Sequence, residues 1–489
     1  MIATTREAER LMFAGSLAMA DMSHAGIKID MQELEKQITQ TDEEIKKIQA
    51  QLREDEVWSV WRKTFGSSAA IGSKAQLSTV IFDKMGHKRP KATAKKFRSD
   101  EYAKEKRESK YDEATFQDVD LKFVKRFFRC EKLKKLSGTY LTGIKREVCE
   151  GYVHPDIKLH STVSYRPSTT APNLANIPKR NKEIAQRILG CFIAREGRRL
   201  IIRDFKQAEV CVSACYNRDA NLIKYISDKS TDMHRDLAAT MFGVPVETMI
   251  KYKEWAKETI RDWAKNRMTF PQFYGSVYFQ CAPSLWKAVL AKTFMHDGKT
   301  RVSDHLAKQG ITQLGNCEPG AAVQPGTWVH RVKESEDYLW HTMFHEFTAW
   351  KRRWHRKYLK RGYFDSLTGF RYTGLFKRND VLNYATQGTA WHCALQVIIW
   401  TQEAIRKYKM RTKLVNEVYD SMMADVPDEE VQDYLDITHE LITERLPKHW
   451  PWIIVPMSSD SEVSPIGGSW RDVAEWTKVD GVWGPARKG

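Results

Sequence analysis

An α+β fold is predicted by two kinds of apolar pattern. Leu200-Ile201-Ile202 is a short apolar run of the kind that forms a strand buried on both faces, and Val210 to Val212 continues in the same style. Leu414 to Pro427 reads as two short strands joined at a tight turn. Against these strands, Leu34, Ile38, Ile45, Ile48 and Leu52 recur at steps of four and three, with Thr41 filling the missing step. That spacing draws one apolar stripe along a long helix.

In chain order, residues 1–30 read as a helix ending at the turn His24-Ala25-Gly26, followed by Ile27-Lys28-Ile29-Asp30. The striped helix comes next. Lys84 to Lys110 then carries eleven Lys/Arg against four acids and no strong apolar period. Such a run is a solvated face, or a grip on phosphates that confers affinity without sequence choice; both readings stay open. His160 to Pro178 reads as a polar loop.

Asp204 ends the Leu200–Ile202 strand. A carboxylate there is costly unless paired, and either a metal ion or the N-terminus of the next helix can pair with it. Thr231 or Asp232 caps a helix that begins near His234. Arg261 to Gly275 is a basic amphipathic helix. Arg261 and Lys265 are four residues apart and share a face, as do Phe270 and Tyr274. Pro271 removes a helix hydrogen bond just after Phe270. Lys351 to Lys357 mixes cations with Trp354 and faces nucleic acid or water. Asn383 and Gln387, again four apart, present two amides that can read the minor-groove acceptors common to all base pairs. Asp420 sits at the tip of the 414–427 hairpin. Two Asp at apolar strand ends can share a pair of divalent ions, as two-metal phosphoryl transfer requires. The last nineteen residues read as an appended tail.

With 489 residues the chain has room for about three domains or one multi-lobed enzyme. The excess of 79 Lys+Arg over 62 Asp+Glu gives a net charge of +17, which favours a polyanionic partner, nucleic acid before membrane. Eight cysteines form no Cys-x-x-Cys pair; Cys211 and Cys215 read as small core residues, and a reducing compartment fits. No apolar run reaches the length of a membrane span, and the charged N-terminus is not a secretory signal, so a cytoplasmic location is expected (host cytoplasm for a viral protein).

The order of these motifs resembles family A DNA polymerases, the group of bacterial polymerase I and many bacteriophage replicases. Asp204-Phe205-Lys206-Gln207-Ala208-Glu209 looks like the first palm motif, Arg261 to Gly275 like the fingers helix that closes on the nucleotide, and Val418-Tyr419-Asp420-Ser421 like the last palm motif, usually His-Asp-Glu. Ile71 to Leu77 resembles a thumb-tip segment, and Glu131 to Tyr140 the stretch leading from thumb to palm. Pro172 to Pro178 matches "P-N-L-Q-N-I-P", and Asn383 to Ala390 matches "N-x-x-x-Q-G-T-A". Two departures stand out. The Gly that usually precedes Arg166 is Tyr165, and the spacing from Lys265 to Phe270 is five residues instead of four. Either the helix bulges there or Arg267 shares the role of Lys265. The resemblance runs from about residue 5 to 470 as scattered motifs. The style of Phe270 to Gly275 and of Asp420-Ser421 points to a phage lineage.

The resemblance implies a right-hand polymerase with an antiparallel palm sheet, helical fingers and a helical thumb. The expected divisions are 1–150 thumb with N-terminal helix, 151–235 first palm part, 236–375 fingers, 376–470 second palm part and 471–489 tail. Asp204 and Asp420 would hold two Mg²⁺, helped by the backbone carbonyl of Phe205. Gln207, Glu209, His234, Arg261, Lys265, Arg267, Phe270 and Tyr274 would line the nucleotide site. Arg166, Asn383, Gln387 and Tyr419 would meet primer-template DNA. Glu209, hydrogen-bonded to the Tyr274 hydroxyl, would close the sugar pocket to ribonucleotides. The implied reaction is template-directed addition of deoxynucleotides from dNTPs to a primer 3′ end in DNA replication, with no proofreading exonuclease in this chain; a separate exonuclease, helicase or processivity subunit stays open as a partner. Two rivals remain at this stage, a single-subunit RNA polymerase and a catalytically silent DNA-binding replication subunit. Glu209 and the thumb motifs argue against the first, and Asp204 and Asp420 against the second.

Overall fold

A computed structural model describes residues 3–88, 113–116, 119–178, 181–228 and 230–486. Most of the Lys84–Lys110 run lies outside the described residues. The centre is a six-stranded antiparallel sheet built from β1 (Arg198–Phe205), β2 (Lys413–Val418), β3 (Ser421–Pro427), β4 (Ser459–Val463), β5 (Ala474–Val479) and β6 (Val482–Pro485), in the order β2-β3-β1-β4-β5-β6. Alternation decides how β1 is buried. Leu200 and Ile202 enter one apolar core while Ile201 and Phe205 enter another. The strand is therefore covered on both faces, as its unbroken apolar run requires.

Helices cover the sheet. Arg378–Lys407, 30 residues long and mostly buried, packs on the Thr5–Ala25 helix, where Gly15 lets the Leu395 side chain approach closely. Thr4 and Glu7 form a capping box at the start of the Thr5–Ala25 helix, and Gly26 at φ +62° ends it. The striped helix spans Met31–Arg53. Its distal end enters a separate aromatic core with Trp61, Phe123 and Phe127, so the tip of the N-terminal helical lobe has a core of its own. A second helical lobe runs from the Ala220–Ser227 helix to the His345–Arg361 helix.

Two expectations are corrected. Val210 to Val212 belong to the Ala208–Asn217 helix and not to a strand. The left-handed Gln207, φ +51°, turns the chain from β1 into that helix, and tertiary burial overrides the β preference of the valines. The C-terminal residues are not an appended tail: β5 and β6 complete the central sheet, and Trp483 lies 5.2 Å from the buried Arg203 guanidinium on β1. Within Lys351–Lys357, Lys351 is buried and Trp354 is packed inward, while Arg352, Arg353, Arg356 and Lys357 are exposed.

Candidate active site

Asp204 is exposed at the end of an otherwise buried strand, opposite Ser421 on one side and Asp460 on the other. Asp420 lies in the β2–β3 turn, which left-handed Tyr419 (φ +60°) closes. The Phe205 N–H donates to the Asp420 carbonyl at 3.1 Å, which ties the two aspartate-bearing segments together. Ser421 is buried, and its hydroxyl donates to the Val418 carbonyl at 3.1 Å. Asp204 and Asp420 share a cavity of about 1290 Å³. Arg235, Lys253, Lys257 and Arg261 line the same cavity, together with Asp232. The cavity thus combines two carboxylates with four cations that can attract an anionic ligand. Sequence reasoning passed over Arg235, Lys253 and Lys257; the four-residue step from Lys253 to Lys257 was the available signal.

The Arg261–Gly275 segment is a helix interrupted by a π-turn at Lys265–Thr269, where the Phe270 N–H bonds the Lys265 carbonyl five residues back. One residue is accommodated in the wider turn. Lys265 therefore stays over the Phe270 ring, at 5.5 Å, despite the longer spacing. Arg267 points elsewhere: it donates to the Ser284 carbonyl at 2.8 Å. Arg261 is paired with Asp232 at 2.8 Å, and Asp232 also caps the helix that carries His234. His234 is buried against Phe270, with an Nδ1 that has no partner. Burial, reinforced by Arg261 and Lys265, drops its pKa to about 3, so the ring is neutral and free to donate or accept. Tyr274 stacks on Phe270, the rings 6.5 Å apart and nearly parallel.

Glu209 lies beside Phe270 and Tyr274 in a small enclosed pocket. Glu209 and Tyr274 share this pocket without the expected hydrogen bond between them, and burial lifts the Glu209 pKa to about 7, with Asp420 adding and Arg166 opposing the shift. Arg166 places its guanidinium 4.5 Å from the Tyr419 ring and leaves a buried Nε without a partner. Tyr165 takes the conformation that glycine favours, φ +54°, and holds it by packing on Phe370 and Tyr372 and donating to the Arg371 carbonyl at 3.1 Å. Gly388 explains itself here, since a Cβ would collide with the Tyr372 hydroxyl and meet the Ser164 carbonyl at 2.7 Å. The Arg166 loop is thereby pressed against the helix carrying Asn383 and Gln387, which lie one turn apart and half-buried.

Glu417 escaped the sequence reading. It is 1% exposed, accepts the Tyr419 N–H at 3.0 Å and the Thr169 hydroxyl at 3.4 Å, and burial raises its pKa to about 8. A carboxyl group thus braces the turn that presents Asp420. Its strand position among apolar residues gave no hint of this. Lys206 is likewise new: its ammonium pairs with Asp460 at 2.6 Å beside Asp204.

Among the described residues no three His, Cys, Asp or Glu side chains gather as a metal cluster. The donor set is two carboxylates with backbone oxygen nearby, which suits Mg²⁺, an ion commonly held by one or two carboxylates plus substrate phosphates.

An antiparallel sheet with two carboxylates at its rim, flanked by two helical lobes, defines the right-hand polymerase class of fold. The chain belongs to DNA polymerase family A, whose family model matches residues 31–297, more than half of its length. It is 30% identical over 260 residues to the thermostable DNA polymerase I of Thermus aquaticus, covering 52% of this chain and 28% of that protein. It is 24% identical over 336 residues to DNA polymerase I of Chloroflexus aurantiacus, covering 68% of this chain and 31% of that protein. For DNA polymerase I of Aquifex aeolicus the identity is 25%, over 66% of this chain and 47% of that protein. The chain thus matches less than half the length of each of these relatives. Its fold resembles that of the POL domain of Pol1 from M. smegmatis, solved in complex with DNA primer-template and dNTP, with a TM-score of 0.68 and 21% identity over 94% of this chain and 70% of that one. No helix among the described residues is long and apolar enough to cross a membrane.

Proposed function

We propose that this protein is a template-directed DNA polymerase that adds deoxynucleotides from dNTPs to a primer 3′ end. The observation that carries the reading is the presence of Asp204 and Asp420 in one cavity that Arg235, Lys253, Lys257 and Arg261 also line. Family membership supports the same reaction, and the related POL domain was solved with DNA primer-template and dNTP.

Asp204 and Asp420, with the Phe205 carbonyl, would hold two Mg²⁺. Bound there, the ions would lower the pKa of the primer hydroxyl and offset charge on the leaving pyrophosphate. The chain's own residues do the positioning. Arg261 and Lys265 share a helical face suited to a triphosphate, and the neutral His234 offers an unused ring nitrogen beside them. Arg261 first exchanges its Asp232 partner for phosphate. Phe270 and Tyr274 supply flat apolar surface for base and sugar. Glu209 stands at the sugar position beside Tyr274 and excludes a 2′-hydroxyl by bulk. Arg166, Tyr419, Asn383 and Gln387 would meet the primer-template minor groove, where shared acceptors report fit and not sequence. Arg267 has no place in this scheme, because it is turned to Ser284.

The test is a primer-extension assay with purified protein, Mg²⁺ and either dNTPs or rNTPs. Extension with dNTPs alone is expected. Equal use of rNTPs would move the assignment to RNA synthesis, and no extension with either would leave only DNA binding.

A further inference from the structure

Behind the segment that carries Phe270 and Tyr274 lies a buried polar cluster that the reaction scheme does not use. Gln272, 1% exposed, is its centre. The Gln272 side chain donates to Glu336 and accepts from the Trp340 indole N–H at 2.6 Å. Its backbone carbonyl accepts from the Lys351 ammonium at 2.8 Å and from the Gly275 N–H at 3.1 Å. That ammonium also lies 4.2 Å from the Phe347 ring centroid and 4.8 Å from that of Trp340. The Lys351 amino group is thus buried and held by a carbonyl and two aromatic faces.

The placement matters because the segment is weak as a helix. A π-turn at Lys265–Thr269 precedes it, Pro271 removes a donor, and Phe270–Phe273 spans a single turn. So short a helix has little stability of its own, and packing must fix it. Lys351 adds a donor from outside the segment to the Gln272 carbonyl, which the Gly275 N–H also reaches. Gln272 points away from the cavity into this cluster, while Phe270 and Tyr274 flank it in sequence and stack on each other.

We propose that Lys351, Glu336 and Trp340 are positioning residues for the incoming nucleotide, which act through Gln272 to set the place of Phe270 and Tyr274. The inference rests on the DNA polymerase reading above. Burial pushes Lys351 down and Glu336 up, both to about 7, which marks the cluster as desolvated and costly. A buried polar group of that cost is kept where it specifies one arrangement.

The experiment is single-nucleotide incorporation by wild type, Lys351→Met, Trp340→Phe and the exposed control Lys360→Met. Burst amplitude counts active molecules, and primer-template affinity is measured alongside. The expected result for Lys351→Met is a KM for dNTP raised about tenfold per active molecule, with kcat and primer-template affinity within about threefold. Trp340→Phe, which removes one donor and keeps the aromatic bulk, should raise KM about threefold. Lys360→Met should behave as wild type. A purely structural role would lower the burst amplitude and leave KM per active molecule where it was. KM within twofold of wild type in both cluster variants overturns the proposal, and where Lys351→Met gives no burst, Trp340→Phe alone decides. A wild type that does not extend primers overturns the polymerase reading itself, an outcome distinct from an active wild type with insensitive variants.

Discussion

Asp204 sits exposed at the end of a strand whose four preceding residues are buried, and it shares a cavity with Asp420. Removing either carboxylate takes away charge compensation for a divalent ion, so Asp204→Ala and Asp420→Ala should each slow extension roughly a thousandfold or more. Primer-template binding, measured by anisotropy, should persist. Extension near the wild-type rate by either variant would end the metal assignment. Ser421, next to Asp420, spends its hydroxyl on the Val418 carbonyl. Ser421→Ala should therefore cost less than about tenfold in rate, since one neutral hydrogen bond is worth on the order of 1 kcal/mol. Glu209 is a third case. It packs beside Phe270 and Tyr274 in one small pocket, and on the proposed reading it closes the sugar site by bulk. Glu209→Ala should open the pocket and lower discrimination between dATP and ATP by over about a hundredfold. Unchanged selectivity in the variant would leave Tyr274 as the next residue to replace.

At the scale of elements, the π-turn at Lys265–Thr269 resolves the five-residue spacing that the sequence left between two explanations. Both Lys265 and Phe270 keep one face, and Arg267 leaves it. The turn was legible only as an irregularity, because a π-turn depends on what packs around it. The same segment leans on Lys351, whose pKa in the folded protein is about 7 against about 10.4 for a free lysine. Between those values the unfolded chain binds the extra proton. Wild-type stability should then rise with pH from about 7 to 10, its full deficit present below 7. Glu336 and Arg378 act on this lysine. Glu336, at about 7, is mostly ionised through that window and adds little slope. Lys351→Met lacks the titrating group, so the melting temperature of wild type minus that of the variant should grow from pH 7 to 10. A constant difference would place the ammonium in water.

For the whole molecule, the sheet that presents Asp204 depends on its C-terminal strands. Trp483 of β6 packs on Arg203, which is 1% exposed and whose pKa burial lowers to about 10. Arg203 adjoins Asp204, and one of its nitrogens donates to Ser461 on β4. Trp483→Ala should leave this guanidinium without its aromatic face and destabilise the protein by about 3 kcal/mol, as the usual cost of an aromatic truncation suggests. Urea denaturation would register it, and a loss under about 0.5 kcal/mol would make the strands dispensable. The net charge of +17 belongs to this scale too. Primer-template affinity should fall at least tenfold between about 50 and 200 mM salt, as counterion release predicts.

The sequence by itself determined the elements that local pattern writes: the buried β1 strand, the Asp420 hairpin, the striped Met31–Arg53 helix and the motif order that marks the family. Each depends on residues close together in the chain or on a spacing of three, four or two. Tertiary structure decided the rest. Val210 to Val212 became helix because the chain turns at Gln207, and the C-terminal residues became strands because β4 offered an unpaired edge. Tyr165 adopts a glycine conformation because Phe370 and Tyr372, two hundred residues away, hold its ring. Glu417, Lys206 and Lys351 gained their partners only when Thr169, Asp460 and Gln272 were brought to them. A polar side chain's role is set by what it is buried against, and that contact has no period in the sequence.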